Sequence, residues 1–409
     1  MSFIIVDPGL VRRIGHHYNF DLALKQELER RNIPLRLYAH RNAEPLIMQE
    51  LGATPVFTDN PYIGVSSDPY PLCQMLEDFV IKGQQFHADL IGALPAAGLE
   101  RSDIVLFHTV TPANLLGILT WLGTISLARR PLVVIGFQIA VKADFQTTAP
   151  SAYRMCMKAL RQRYPRLTFF SCSAELAQLY GEIGSVEVAT LAYPVAPSAA
   201  KAKVMDDGDR TRLKVVYLGH SKQRRGVALL PGIVTESARR GLALDFVLQL
   251  SAPWDKDVAA ATADPAMQGE NVRLITTSMS EPDYFACLND ADIVLLPYDS
   301  NFYRNAHSGV FTEAVWLGKV TVCPGETWMA RQLAKHEGGG VCFDAFTAAV
   351  ITDALEQVVL EWPRQRDRAR RAASQWQEQN NSARFVEGLL EFATRQVKAP
   401  GSGQESLAK

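Results

Sequence analysis

The chain of 409 residues is too long for one ordinary hydrophobic core and suits two domains of about 200 residues each. Apolar residues make up 47% and charged residues 21%, a globular balance that excludes a disordered or fibrous chain. The formal net charge of -1 excludes the overall basic field of a dedicated nucleic-acid-binding protein.

The six cysteines are scattered, with no Cys-x-x-Cys and no histidine at zinc spacing, so we expect reduced thiols and no metal site. The N-terminus, MSFIIVDPGL, lacks the basic start and the cleavage site of a signal peptide. No run approaches the ~18 apolar residues of a membrane span. We therefore expect a cytoplasmic protein.

The first half alternates short β-rich runs with segments of helical length. Strands are predicted at SFIIV, PLRLY, DIVLF, PLVVIG, LTFFS and VEVATLA, with a helix from about Asn19 to Arg31 between the first two. Strands separated by helices are typical of βαβ units and a parallel sheet. The pattern predicts an N-terminal α/β domain over residues 1–196.

The second half repeats this architecture after a break. The segment PSAAKAKVMDDGDRT has no apolar period and predicts an interdomain linker over residues 197–212. Strands are then predicted at LKVVYLG, LDFVLQL, VRLIT, DIVLLPY and KVTVC, in a second α/β domain over residues 213–362. Helical sequence follows over 363–397, and we expect 398–409 to be a disordered tail.

The segment after the DIVLLPY strand carries the clearest functional signal. The loop DSNFYRNAHSG opens directly into a helix near Val310. Ligands of parallel α/β sheets bind at the carboxyl ends of strands, and free amides make a helix N-terminus an anion site. Small residues at Ser308 and Gly309 let backbone amides approach a phosphate, and Arg304 could add a bidentate charge.

Glu313 lies one turn into the same helix, where its carboxylate could accept hydrogen bonds from a ribose diol. Together these residues predict a nucleotide site. The competing interpretation is a plain turn, in which Ser308 caps the helix and Glu313 is a first-turn acid that complements the helix dipole.

The string SGVFTEAVWLGKVTVCPGETWMA resembles the donor-site signature of retaining GT-B glycosyltransferases, close to the GT4-like group. Four further strings resemble motifs of that family in the same order: DIVLFHTVTPANLLG, FFSCSAELAQLYGEIG, YLGHSKQRRG and HEGGGVCFD. The resemblance covers nearly the whole chain. It implies a GT-B fold, with two Rossmann-like domains facing a central cleft and the C-terminal helices packing back on the first domain.

The resemblance also implies an activity. Such an enzyme transfers a sugar from a UDP-, GDP- or TDP-sugar to a glycan, lipid-linked or other acceptor, as in polysaccharide biosynthesis. The anomeric configuration is retained, and neither a metal ion nor a cofactor takes part.

Individual residues match the family's donor site. Glu313 resembles the ribose-binding acid, and Ser308, Gly309 and Val310 match the backbone that holds the diphosphate. Arg225 and His220 match the cations that face the diphosphate. The donor-binding set further includes the following residues: Gly15, Lys222, Arg304, Asn305 and His307.

The chain departs from the family pattern at two points. Asn305 stands where the family has the first glutamate of its E-x7-E motif, which contacts the donor sugar. The cationic pair is Arg225 with His220 rather than lysine with arginine, so Lys222 or Arg224 is an alternative source of charge.

In the N-terminal domain, His108 matches the family's histidine beside the transferred sugar. We therefore predict His108, Arg225 and Glu313 as catalytic residues. A histidine at a strand end is otherwise a common structural hydrogen-bonding group. Gly15 matches a glycine-containing loop that closes over the donor. Weaker candidates, each also explained as an ordinary loop residue, are Arg12, Arg13, His16, His17 and Asp144.

The helix SAYRMCMKALRQRYPR has a basic face. Such a face can lie on the anionic lipid of the inner membrane, although ordinary packing with a charged outer side is the favoured interpretation. Two other functions compete with glycosyl transfer. One is epimerisation of nucleotide sugars, which needs an acid and a base beside the sugar. The other is a GT-B scaffold without turnover, which Asn305 favours.

Overall fold

The computed structural model describes residues 1–13, 15–60, 72–138, 149–195, 211–219 and 223–398. The chain divides into two compact units. Among the described residues, unit 1 contains those of Met1–Arg12, of His17–Pro194 and from Asn381 onward, and unit 2 contains those of Arg13–His16 and Val195–Asn380. Most of the predicted linker and the tail from residue 399 lie outside the described residues.

The described part of unit 1 is built on a sheet of seven parallel strands in the order β3-β2-β1-β4-β5-β6-β7. The strands are β1 Phe3–Asp7, β2 Leu35–His40, β3 Ala53–Phe57, β4 Ile104–Phe107, β5 Leu132–Gly136, β6 Leu167–Ser171 and β7 Val188–Thr190. β1, β4 and β5 are buried throughout, as expected of central strands covered on both faces.

Helices cover this sheet. They are α1 His16–Arg30, α2 Pro45–Leu51, α3 Leu72–Ala93, α4 Pro112–Gly123, α5 Ala149–Arg163, α6 Ala174–Gly184 and, from the end of the chain, α15 Ser382–Lys398. A capping box between Thr111 and Asn114 fixes the start of α4. Phe385 of α15 packs edge-on against Phe20 and Phe170, which explains why α15 belongs to unit 1.

Unit 2 has a six-stranded parallel sheet among its described residues, in the order β10-β9-β8-β11-β12-β13. The strands are β8 Leu213–Tyr217, β9 Leu244–Gln249, β10 Val272–Ile275, β11 Ile293–Leu295, β12 Val320–Pro324 and β13 Gly340–Phe343. The helices are α7 Leu230–Arg239, α8 Lys256–Ala263, α9 Glu281–Asp290, α10 Ser300–Tyr303, α11 Gly309–Trp316, α12 Trp328–Lys335, α13 Ala348–Leu360 and α14 Trp362–Gln379.

The strand order places a crevice at the same point of each sheet. β1 lies between β2 and β4, and β8 lies between β9 and β11. In each sheet the strands that follow the central strand first extend to one side, and the later strands extend to the other side. The carboxyl ends of β1 and β4, and those of β8 and β11, therefore border a topological switch point. This is where open α/β sheets bind ligands.

The observed elements confirm the predicted α/β class with two Rossmann-like domains. The strands β3 and β13 were not predicted. Pro55 interrupts the pattern of β3, and β13 starts at a glycine; both lie at sheet edges, where such residues are tolerated. Of the C-terminal helices, α14 belongs to unit 2 and α15 to unit 1. No helix in the described part of the chain is long and apolar enough to cross a bilayer.

Gly226 allows the segment after β8 to approach the end of β11. It has a φ of +71°, and a Cβ atom there would lie 1.9 Å from the carbonyl oxygen of Pro297. Gly241 has a similar φ of +68° but no atom within 4 Å of such a Cβ. Gly241 is therefore a matched control for the backbone conformation alone.

We predict that Gly241→Ala lowers the free energy of unfolding by roughly 1–2 kcal/mol, because of the left-handed backbone. Gly226→Ala should lose a further ~1–3 kcal/mol, because the methyl group must displace the Pro297 carbonyl. Urea denaturation of both variants measures the difference. Equal losses would show that the close approach contributes nothing.

Candidate functional site

The N-terminus of α11 lies after β11, at the switch point of unit 2. Ser308 is its N-cap, and Oγ of Ser308 accepts a hydrogen bond from the amide of Phe311 at 3.3 Å. A Cβ atom on Gly309 would meet nothing within 4 Å, so space is open beside the first helical residue. The amides at the start of α11 thus offer hydrogen bonds and the positive end of the helix dipole to an anion.

Arg225 adds a positive charge at this point. Its Nε donates to the hydroxyl of Tyr303 at 3.2 Å, and its guanidinium lies 5.3 Å from the ring centre of Tyr298. A Cβ atom on Gly219 would lie 2.6 Å from Nη1 of Arg225 and 3.2 Å from Cγ2 of Val310. The guanidinium, the end of β8 and the first turn of α11 therefore meet, and two tyrosines hold the guanidinium in place.

Glu313 lies on the first turns of α11 with 8% of its surface exposed. It accepts a hydrogen bond from the hydroxyl of Tyr284, on α9. Burial and the neighbouring Glu313 carboxylate raise the pKa of Tyr284 well above its usual range, so this tyrosine remains a donor. Tyr284 was not predicted as a site residue.

His307 is held as a neutral imidazole. Its Nε2 lies 2.9 Å from Oγ1 of Thr312, and its ring centre lies 4.5 Å from that of Trp328. Burial lowers the pKa of His307 to about 3. His307 thus carries no charge at neutral pH, whereas Arg225 places a positive charge beside the first turn of α11.

Arg304 and Asn305 form the outer part of the loop. Arg304 is exposed and pairs with Glu326 at 3.1 Å, so an anion would compete with that carboxylate. Arg331 donates to the carbonyl of Arg304 at 2.6 Å and lies 3.4 Å from Oδ1 of Asn305. These contacts fix the loop between α10 and α11.

Arg224 stacks its guanidinium 4.2 Å from the ring centre of Phe302, and its carbonyl accepts a hydrogen bond from the amide of Asp299 at 2.9 Å. It therefore supports the start of α10. His220 and Lys222, the other predicted cations, lie outside the described residues, as does Asp144.

The switch point of unit 1 holds a buried cluster of two histidines and two aspartates. Asp7 ends β1, His17 and Asp21 lie on α1, and His108 follows β4. Nδ1 of His17 lies 2.7 Å and 2.8 Å from the two carboxylate oxygens of Asp7. Nε2 of His108 lies 3.1 Å from Asp7 Oδ2 and 3.3 Å from Asp21 Oδ1.

The charges of this cluster depend on one another. Burial alone would lower the pKa of His108, but the carboxylates of Asp7 and Asp21 raise it to about 10. Burial and the nearby Asp7 carboxylate raise the pKa of Asp21 to about 7. His108 is fully buried and stacks on Phe20 at 4.4 Å. Its contact with a transferred sugar stays a prediction.

The remaining N-terminal candidates lie between Asp7 and His17 in the sequence or next to them. Gly15 has a φ of +85° and no atom within 4 Å of a Cβ, which agrees with a glycine-requiring turn in open space. Arg12 is exposed, whereas Arg13 and His16 are half-buried. The structure brings His17 alone of these into the buried cluster.

The sequence matches no protein-family model and no curated protein. Solved structures do resemble the chain. A glycosyltransferase from Rickettsia africae matches with a TM-score of 0.66 at 8% identity, covering 97% of this chain and 99% of that one. The chain has the GT-B fold.

Two further structures support this assignment of the fold. Anabaena HepE, solved with UDP and glucose, gives a TM-score of 0.62 at 13% identity over 96% of this chain and 99% of that one. A protein described as a UDP-N-acetylglucosamine 2-epimerase, from Listeria monocytogenes, gives 0.60 at 10% identity over 99% of both chains. The GT-B fold implied by the sequence resemblance is thus confirmed as far as its two parallel-sheet, Rossmann-like domains.

We predict that His307 makes stability fall in mild acid. Its folded pKa of about 3 lies below the ordinary 6.5, so the stability from keeping it neutral is present above pH 6.5 and is lost as the pH falls towards 3. The free energy of unfolding should therefore drop less steeply below pH 6.5 in His307→Gln than in the wild type. Urea denaturation across this pH range measures both slopes, and parallel profiles would contradict the prediction.

Proposed function

We propose that the chain is a retaining glycosyltransferase that takes a sugar from a nucleoside diphosphate sugar. The observation that carries this proposal is the meeting of Arg225 with the open N-terminus of α11 at the switch point of unit 2. A fixed guanidinium and free helix amides suit a diphosphate, which is the leaving group of such a donor.

The chemistry needs stabilisation of that leaving group. As the bond between the anomeric carbon and the diphosphate oxygen breaks, negative charge grows on the diphosphate. Donors that are already in place stabilise this charge without reorganisation, and one such donor contributes roughly 3 kcal/mol. Arg225 and the amides of Gly309 and Val310 take this role, and no metal ion is needed for it.

Retention follows if the acceptor attacks from the side that the diphosphate leaves. The acceptor oxygen then bonds to the anomeric carbon, and the departing phosphate oxygen takes the acceptor proton. No enzymic nucleophile is required.

Glu313 and Tyr284 suit recognition of the ribose. A carboxylate on α11, one turn from the phosphate-binding amides, is placed to accept hydrogen bonds from the 2′ and 3′ hydroxyls. The hydrogen bond from Tyr284 fixes the orientation of this carboxylate, so that less conformational freedom is lost on binding.

UDP-sugars are the first donors to test, because HepE was solved with UDP and glucose; GDP- and TDP-sugars follow. The acceptor is a glycan, a lipid-linked saccharide or another hydroxyl compound, in a cytoplasmic reaction that takes place in solution or at the inner membrane. Asn305, an amide in place of the motif's carboxylate, points to a different contact with the donor sugar.

Two alternative functions are each supported by one observation. The likeness to the Listeria protein keeps epimerisation of a UDP-sugar as a candidate. Asn305 keeps a scaffold without turnover as another. Incubation of the protein with a sugar nucleotide alone, without an acceptor, distinguishes these two alternatives. An epimerase converts the sugar nucleotide itself, whereas a scaffold leaves it unchanged.

We predict that one nucleoside diphosphate from a panel of UDP, GDP and TDP raises Tm, and that the matching sugar nucleotide is turned over.

We also predict that Arg225→Gln lowers kcat by about 100-fold, because this substitution removes one preorganised positive charge that stabilises the leaving group. Arg239→Gln is the control. This arginine of α7 is exposed, and its guanidinium pairs with Glu236 on the same helix. Full activity in Arg225→Gln, or no Tm shift with any nucleotide, would contradict the site assignment.

We further predict that the product keeps the anomeric configuration of the donor. Proton NMR of the first product formed, read from the coupling constant of the anomeric proton, distinguishes the two outcomes. An inverted product would rule out the retaining mechanism while leaving the donor site in place.

A further inference from the structure

The buried cluster of unit 1 brings metal-binding atoms together. One ligand atom from each of Asp7, His17 and His108 lies within 4.8 Å of the others, and Asp21 adds a carboxylate oxygen 3.3 Å from His108. Zinc bonds of about 2.0–2.2 Å place the ligand atoms of a tetrahedral site about 3.3–3.6 Å apart. The observed separations between nitrogen and oxygen, 2.7–3.3 Å, are hydrogen-bond distances, so a bound ion would replace the shared protons and move these atoms apart.

The charge of the cluster also favours a divalent cation. Asp7 and Asp21 are almost completely buried, with 1% and 0% of their surface exposed. Buried carboxylates require nearby positive charge. One divalent ion would balance both carboxylates by displacing the proton that they otherwise hold on His108, since histidine binds a metal as the neutral imidazole.

Neighbouring groups orient the ligands as they do in metal sites. Nδ1 of His108 lies 3.0 Å from Oγ1 of Thr109, a contact that turns Nε2 towards the carboxylates. Oδ1 of Asp7 accepts a hydrogen bond from the amide of Gly9 at 2.8 Å. A Cβ atom on Gly9 would lie 2.2 Å from Cε1 of His17, so this glycine leaves the room that the imidazole fills. Such outer contacts fix the tautomer and the direction of ligands.

We infer that Asp7, His17 and His108 bind one divalent transition-metal ion, with the buried carboxylate of Asp21 beside them, and that Zn²⁺ suits these nitrogen and oxygen ligands best. Because all four side chains are buried, the ion would be closed off from solvent, as in a structural zinc site. His17 and Asp21 lie four residues apart on one face of α1. The ion would therefore tie α1 to the ends of β1 and β4.

Metal content of the full-length protein tests this inference, independently of any sugar nucleotide. Protein freed of metal by a chelator is incubated with Zn²⁺ or Co²⁺, passed through gel filtration and analysed for bound metal. We expect about one ion per chain, and a Co²⁺ form with the visible absorption of four-coordinate nitrogen and oxygen ligation. No retained ion, or absorption typical of thiolate ligation, would overturn the inference.

Ligand variants locate the ion. His17→Asn and Asp21→Asn should each weaken Zn²⁺ binding by at least about 10-fold, whereas His40→Asn should not. His40 is the control because it is a buried histidine at the end of β2, where Nε2 lies 3.2 Å from the carbonyl oxygen of Thr58. Unchanged binding in both ligand variants would place the ion elsewhere and contradict the inference. If a variant does not fold, the wild-type metal content and Co²⁺ spectrum still decide.

Discussion

The pairing of β8 with β11 is the constraint on which the proposed donor site depends. Val215 pairs with Ile293 and Val216 with Val294, which brings together two segments that are distant in sequence. Because the strands are parallel, the chain leaves both at the same edge of the sheet. Gly226 then permits contact with the carbonyl of Pro297, and Arg225 reaches the first turn of α11.

Unit 1 uses the same topology for a different purpose. β1 and β4 are neighbours in the sheet of unit 1, as β8 and β11 are in the sheet of unit 2. The ends of β1 and β4 therefore bring Asp7 and His108 together, just as the ends of β8 and β11 bring Arg225 to α11. The residues at the two switch points differ in their exposure to solvent. Gly309 borders open space, whereas the side chains of Asp7 and His108 are closed off from solvent. An exchanging ligand suits the first arrangement, and a permanently bound group or a fixed network suits the second.

Much of the fold could be predicted from the sequence, because central parallel strands are continuous apolar runs and helices have their own period. The positions of Ser308 and Gly309 at the start of α11 were also accessible, since an N-cap and a small residue are local features. The position of Glu313 on the same helix was predicted for the same reason, and the binding roles of all three stay predictions. Tyr284, the partner of Glu313, was not predicted, because a hydrogen bond across 29 residues leaves no local pattern.

Burial explains the other differences between expectation and structure. The sequence offers His307 as a polar loop residue, but its packing against Trp328 makes it a neutral imidazole. Asp7 could have been noticed, because it ends the first strand at the ligand-binding edge of the sheet. Asp21 could not, because a single acid within a helix is usually a solvated residue and its burial depends on the tertiary fold.

A crystal structure with a nucleoside diphosphate bound tests the proposed donor site most directly. We predict that the diphosphate contacts the backbone amides of Gly309 and Val310 and the guanidinium of Arg225, and that the ribose hydroxyls contact Glu313. A nucleotide bound elsewhere in the chain, with these four residues untouched, would contradict this prediction, as would the absence of bound nucleotide at saturating UDP, GDP and TDP.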